Sequence, residues 1–278
     1  MKTINCKCIP QTLTTVALLA MSSWAFAAST WSVDQCAMGT ANTQMQATNA
    51  VSGTGCTSGT NVGANSVHAY AYAVANPGNN ASSGATFNAA TLAQYGLSYG
   101  LGVSYAGEPT GAPEHTMDNK ARTELIAFRF DQAVMLDKIT LGYTSNDADF
   151  SVFAWNGATP NSSASDKITS QTVGTLASSW TLVGNYANAA GAPNTTDVVT
   201  TVNAGNVSSS WWIISAYNTG YGGALDGSAT TNNLDYMKVM SIASKSPGNQ
   251  TPEPGSISLL GISLIGLVAA RRRPQKAA

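Results

Sequence analysis

Between Val67 and Val74 the residues alternate, with Tyr70, Tyr72 and Val74 falling on one side and Ala69, Ala71 and Ala73 on the other. A period of two is the signature of a β-strand with two distinct faces. From Glu124 onward the signal recurs at residues 125–130, 134–143, 150–155, 180–186, 198–202, 211–217 and 236–243. Each of these runs is rich in β-branched and aromatic residues and is bounded by Asn, Asp, Gly or Ser, as strands between turns are. No long segment with the 3.6-residue period of a helix lies among them. Residues 76–83 and the two-proline stretch 108–119 read as loops, and a short helix is expected around Thr91 to Tyr95, closed by Gly96. Seven or more short strands predict an all-β chain, a two-sheet β-sandwich of jelly-roll type. Similarity at a fixed period is absent, which argues against a propeller or a solenoid.

Two apolar blocks at the ends break this pattern. Residues 13–27 are apolar apart from small hydroxyl residues and follow Lys2 and Lys7. Ala25-Phe26-Ala27 then gives the small-x-small cleavage pattern of a signal peptide, so Ala27 is the last residue of the leader and Ala28 the first of the mature chain. At the other end, residues 257–270 carry no charge and run directly into Arg271-Arg272-Arg273. An apolar run with a basic flank reads as a membrane segment whose arginines stay cytoplasmic. As a helix its fourteen residues rise roughly 21 Å, against a hydrocarbon core of about 30 Å. So short a span suits a transient tail better than a permanent anchor. The chain thus divides into a signal peptide helix (1–27), a secreted domain (28–250) and a C-terminal segment with a short transmembrane helix (251–273).

Pro252-Glu253-Pro254, the short apolar helix and the arginine cluster, in that order and at that end, resemble a PEP-CTERM sorting signal. The resemblance implies that the protein is a substrate of an exosortase, a membrane-embedded transpeptidase-like enzyme of Gram-negative bacteria that make extracellular polysaccharide. It also implies processing near the Pro-Glu-Pro element. The body has a second resemblance, to the type 1 exosortase-dependent surface proteins, over roughly residues 100–243. It is carried by Glu114-His115-Thr116-Met117-Asp118-Asn119, by Leu141-Gly142-Tyr143, by the run from Asp147 to Trp155, by Trp180-Thr181-Leu182-Val183 and by the run from Ser210 to Asn218. That family implies a surface or matrix protein and transfers no active site.

Charge sharpens this picture. Charged residues make up 10% of the chain, well below the usual quarter, and small polar residues favour strands with long turns over a helical bundle. Between residues 28 and 251 thirteen acidic residues face seven basic ones, a net charge of −6. An acidic surface disfavours nucleic acid and anionic lipid as partners. The leader implies signal peptidase as a partner, and the sorting-signal resemblance implies the exosortase, with exopolysaccharide as a further candidate and membrane contact only through the tail before processing. Cys6 and Cys8 leave with the leader, and Cys36 and Cys56 remain in an oxidising setting, where one disulfide is the natural reading. A metal pair is the rival reading, though two cysteines without a neighbouring histidine make a poor zinc site.

Three groups of residues could carry chemistry. His115, Asp118 and Asn119 could join a metal or substrate site, or Asp118 and Asn119 could cap a turn through side-chain to backbone hydrogen bonds. Asp147 and Asp149, after Asn146 and before the strand at Phe150, have the spacing of carboxylates that share a Ca²⁺, with Asp226 and Asp235 available to complete it. Asx turns at a strand start account for the same residues. Trp212, Tyr217 and Tyr221, with Trp155, Trp180 and Trp211, could offer flat faces to sugar rings, or could fill the core. In Trp211-Trp212 the two rings must point to opposite faces of the strand, so at least one is expected inside.

Catalytic patterns are sparse. No Gly-x-Ser-x-Gly elbow occurs, no phosphate-cradling glycine loop precedes a Lys-Ser/Thr pair, and only His68 and His115 are available as bases. Glu108, Glu114 and Glu124 supply carboxylates without marking a glycosidase pair. The expectation is an exported, exosortase-sorted surface or matrix protein without catalytic activity or cofactor, Ca²⁺ being the one candidate ion. The alternatives are a carbohydrate-binding module attached to exopolysaccharide and, third, a polysaccharide hydrolase.

Overall fold

The computed structural model describes residues 28–35, 45–46, 67–76, 84–95, 98–109, 113, 115–157, 166–187, 197–226 and 234–245. The signal peptide with Ala27, the Cys36–Cys56 pairing and the sorting segment 251–273 lie outside the described residues. Among the described residues no helix is long and apolar enough to cross a membrane.

In chain order the strands of the first half are β1 (Ser29–Ser32), β2 (Met45–Gln46), β3 (Val67–Ala75), β4 (Asn88–Ala89), β5 (Thr91–Gln94), β6 (Leu101–Ser104) and β7 (Met117–Asp118). Those of the second half are β8 (Arg122–Val134), β9 (Leu136–Asn146), β10 (Phe150–Trp155), β11 (Trp180–Tyr186), β12 (Val198–Thr201), β13 (Ser209–Ala216), β14 (Leu225–Asp226) and β15 (Asp235–Ser244). One sheet has the order β12-β9-β15-β6-β5-β2, with β1 and β7 also pairing β15. The other runs β14-β11-β10-β13-β8-β3-β4. All pairs are antiparallel except β11 with β14.

The two sheets close on a common core. Leu101, Val103, Ile139, Leu141 and Val239 of the first pack with Ile126, Phe128, Val152, Trp212 and Ile214 of the second. The chain changes sheets repeatedly on the way: β8, β10 and β13 lie in one sheet and β9, β12 and β15 in the other. The seven-stranded sheet is also covered on its outer side. Phe153, Trp211, Ile213 and Trp180 pack there with Ile168, Val173, Leu176 and Tyr221, which come from short helical turns and loops after β10 and β13. β13 is consequently buried at every position, which is why it reads as a continuous apolar run and not as an alternation.

The expected helix at Thr91 to Tyr95 is instead strand β5, paired along its length with β6. Its four residues are too few for a helix to stand alone, and cross-strand partners decide the conformation. Within the expected loop 108–119, Met117 and Asp118 form a short strand on β15 at Met237 and Tyr236. A close approach makes this seating specific. A Cβ on Gly102 of β6 would collide with the backbone carbonyl of His115, so only glycine lets the chain at His115 lie against β6.

Candidate functional site

The acidic candidates and Asn119 meet at one end of the sandwich, where β7, β8, the end of β9 and the start of β15 converge. Asp147 and Asp149 follow β9, and Asp235 opens β15. The three buried carboxylates bring one oxygen each within 4.8 Å of one another. Asp235 thus joins Asp147 and Asp149, as the expectation for a shared cation requires. Asp226 lies in β14, and its side chain is not among those described.

Hydrogen bonds occupy Asp235. Its Oδ1 accepts from the Asp149 amide at 2.8 Å, and its Oδ2 accepts from the Asn119 side-chain amide. Asn119 is tied down twice more: Nδ2 donates to the Tyr217 carbonyl at 2.9 Å, and Oδ1 accepts from the Asp235 amide at 2.9 Å. This last bond orients the Asn119 amide, because only its oxygen can accept. Asp147 Oδ1 accepts from the Ala148 amide at 3.0 Å. Burial, and then the Asp149 and Asp147 charges, push the Asp235 carboxyl well above the usual carboxylate range, while the Asp149 amide and Asn119 pull the other way.

A second trio forms beside it from Glu108, Asp118 and Glu124, again with one oxygen from each within 4.8 Å of the others. Glu124 lies on β8 in phase with Ile126 and Phe128, so the pleat turns its carboxyl towards the space between the sheets. Its Oε2 accepts from the Asp118 amide at 3.2 Å. Its Oε1 is buried and accepts no hydrogen bond among the described residues. Asp118 Oδ1 accepts from the Lys120 amide at 2.9 Å, the i to i+2 turn contact expected of it. Glu108 Oε2 accepts from the Tyr105 amide at 3.0 Å. Around this trio Arg122 lies over the Tyr105 ring, 3.2 Å from its centroid, and Tyr95 stacks on His115 at 5.5 Å. Lys238 is held over the rings of Tyr95 and Tyr143, 4.3 Å from each centroid. Burial lowers the Lys238 amine to about 8.

His115, Asp118 and Asn119 therefore separate by role. Asp118 joins the second trio, Asn119 braces the first, and His115 packs on an aromatic ring. The aromatic candidates are mostly interior. Trp212 belongs to the inter-sheet core and donates from Nε1 to the Ser209 carbonyl at 2.9 Å. Trp211 lies on the opposite face, stacked on Tyr70 at 5.4 Å. Both rings of the pair are buried because both faces of their sheet are covered. Tyr221 is buried too, its hydroxyl 2.7 Å from Ser215 Oγ. Tyr217 alone of Trp212, Tyr217 and Tyr221 keeps part of its ring accessible.

The sequence did not mark Glu108 and Glu124 as partners of Asp118. Glu124 was the traceable one, a carboxylate at a core-facing phase of a strand. Sequence distance also hid the contact of His68 with Asp131, 3.8 Å apart across the β3–β8 pair.

The last backbone bond of the described fold runs from the Lys245 amide to the Met135 carbonyl at 3.0 Å. Shortly after it, residues 250–273 match the PEP-CTERM protein-sorting motif. The chain carries an exosortase sorting signal. The PEP-CTERM motif implies an exported protein that is processed by an exosortase and sorted at the membrane towards the cell surface. No curated protein matches the chain.

Proposed function

We propose that the mature chain is a surface or extracellular-matrix protein without catalytic activity, released or transferred by exosortase cleavage near Pro252-Glu253-Pro254. The sorting motif at residues 250–273, directly behind a closed sandwich, is the observation that carries this reading. The repeated crossing between sheets supports a jelly-roll form of the sandwich.

The two ends of the fold add support. Strand β1, which starts just after the expected leader cleavage site, pairs with β15 in the register Ser29 to Ser244, and the Ser29 amide donates to Ser244 Oγ at 3.3 Å. The first and last described strands therefore begin and end at the same pole of the sandwich. With Lys2 and Lys7 at one end and the arginine triplet at the other kept cytoplasmic, the precursor hangs from the membrane by two adjacent tethers. Signal peptidase removes one and the exosortase the other.

Replacing Pro252, Glu253 and Pro254 together by alanine tests the reading. The variant is expected to stay in the membrane fraction with Arg271-Arg272-Arg273 attached while the parent chain reaches the surface, and an unchanged distribution would contradict it. The glycan-binding alternative rests now on Tyr217, and retention on exopolysaccharide weakened by Tyr217→Ala would favour it. Calcium at Asp147 and Asp149 gains Asp235 as a third carboxylate, but Asp149 and Asn119 already donate to that group.

A further inference from the structure

We propose that Glu108, Asp118 and Glu124 form a binding site for one hard divalent cation, calcium by its donor set, at the end of the sandwich where the 105–109 turn meets β7 and β8. Two independent observations carry it. The first is the convergence of three carboxylates from three separate elements, one oxygen from each within 4.8 Å of the others. The second is Glu124 Oε1, an oxygen of a completely buried side chain that accepts no hydrogen bond from the described residues. A buried carboxylate oxygen left bare is costly, and a bound cation satisfies it directly.

The charges balance. Three carboxylates carry three negative charges, and Arg122, whose charge acts on Glu124, offsets one of them. The remaining two match a divalent ion. Burial and the charges of Asp118 and Glu108 push the Glu124 carboxyl well above the usual range, against the Asp118 amide and Arg122. Lys238 does not supply that charge directly, since its amine is held over Tyr95 and Tyr143.

The donors are all carboxylate oxygens, which suit calcium or magnesium and not a soft transition metal. Calcium is favoured because it accepts irregular oxygen sets of six to eight ligands, whereas magnesium keeps most of its water. A cleft of about 350 Å³ beside the site is lined by Tyr105, Glu108, Pro109, Lys120 and Arg122. Glu108, the half-buried member of the trio, is the one that also lines this cleft. The site ties the 105–109 turn to the two sheets, so occupancy stiffens the end of the sandwich.

The test is calcium titration by isothermal calorimetry on the full chain in detergent, stripped with chelator, for the parent, Glu124→Gln and Glu108→Gln. The parent is expected to bind with a Kd on the order of 10⁻⁴ to 10⁻³ M, the range of extracellular calcium modules. Glu124→Gln removes this site, and Glu108→Gln weakens it by about tenfold or more. Any site at the aspartate trio is untouched by either change. If Glu124→Gln does not fold, Glu108→Gln decides alone, since it alters a half-buried group at the cleft. Unchanged stoichiometry and affinity in the folded variants would overturn the proposal, as would a parent that takes up no calcium at 10 mM. Tighter binding of magnesium than of calcium would overturn the choice of ion.

Discussion

The two buried carboxylate trios stand side by side and differ in what meets their oxygens. In the aspartate trio, Asp235 is held on both oxygens by amide donors from Asp149 and Asn119. In the glutamate-containing trio, Glu124 has one oxygen held by the Asp118 amide and one with no donor among the described residues. Both groups are squeezed by burial and by like charge. Asp118 and Asn119, adjacent on one short segment, serve one trio each. Proximity of acids therefore does not by itself identify an ion site. The presence or absence of internal donors separates a hydrogen-bonded brace from a cradle for a cation.

The largest expected effect lies on the braced side. Asn119→Ala leaves the Asp235 amide, the Tyr217 carbonyl and the Asp235 carboxylate each short of a partner. A loss of ~3 kcal/mol is expected in urea unfolding. The loss is expected to be the same in calcium and in chelator. A loss that calcium rescues would erase the distinction between the trios.

Glu124→Gln comes next and depends on the ion. At calcium ten times Kd, binding stabilises the parent by about 1.4 kcal/mol, and the variant forfeits this increment. In chelator the order reverses: the variant unfolds at a higher temperature, because one of three crowded charges is gone. Thermal unfolding in both buffers reads the crossover.

The pH dependence follows from the same carboxyl. Glu124 is held above its ordinary value in the fold, so between the ordinary and the raised value the folded chain binds more protons than the unfolded chain. Metal-free stability is then fully present at low pH and falls as pH rises through the raised value. Melting curves in chelator, taken from the ordinary carboxylate range upwards, should show this fall. Calcium, taking the place of the proton, should flatten it, and so should Glu124→Gln; Asp235 adds a residual slope of the same sign.

The smallest effect is at Lys238. Its amine is lowered to about 8 by burial, so the unfolded chain binds the extra proton above that pH, and stability rises from about pH 8 towards the ordinary lysine value. Lys238→Met removes this alkaline rise and, having lost only contacts with Tyr95 and Tyr143, changes neutral stability by about 1 kcal/mol or less. An alkaline rise that persists in the variant would place its source elsewhere.

Much of the fold was legible because local and cross-strand signals agree. The runs at 150–155 and 180–186 coincide with β10 and β11, where aromatic and β-branched residues fill both faces. Thr91 to Gln94 was not legible: four residues carry no period, and pairing with β6 decides them. Trp211 and Trp212 were half legible. Alternation places them on opposite faces, but only the cover supplied by Ile168, Val173, Leu176 and Tyr221 makes the outer face interior as well. At the site, the spacing of Asp147 and Asp149 pointed to a carboxylate cluster, and Asp235 completes it. Glu124 could be traced as a carboxylate at a core-facing phase of its strand, but its partners Glu108 and Asp118 stayed hidden, because they reach it only through the seating of β7 on β15 and of His115 against Gly102. The sorting signal was the most legible of all, because a linear motif read by a membrane enzyme depends on order and position along the chain and not on a fold.

The most direct test of the account is the intact mass of the protein extracted from the cell surface, with both termini mapped by peptide sequencing. The account predicts a chain that begins at Ala28 and ends near Pro254, with residues 257–278 gone. Recovery of the chain with Arg271-Arg272-Arg273 still attached, as its mature form, would contradict it.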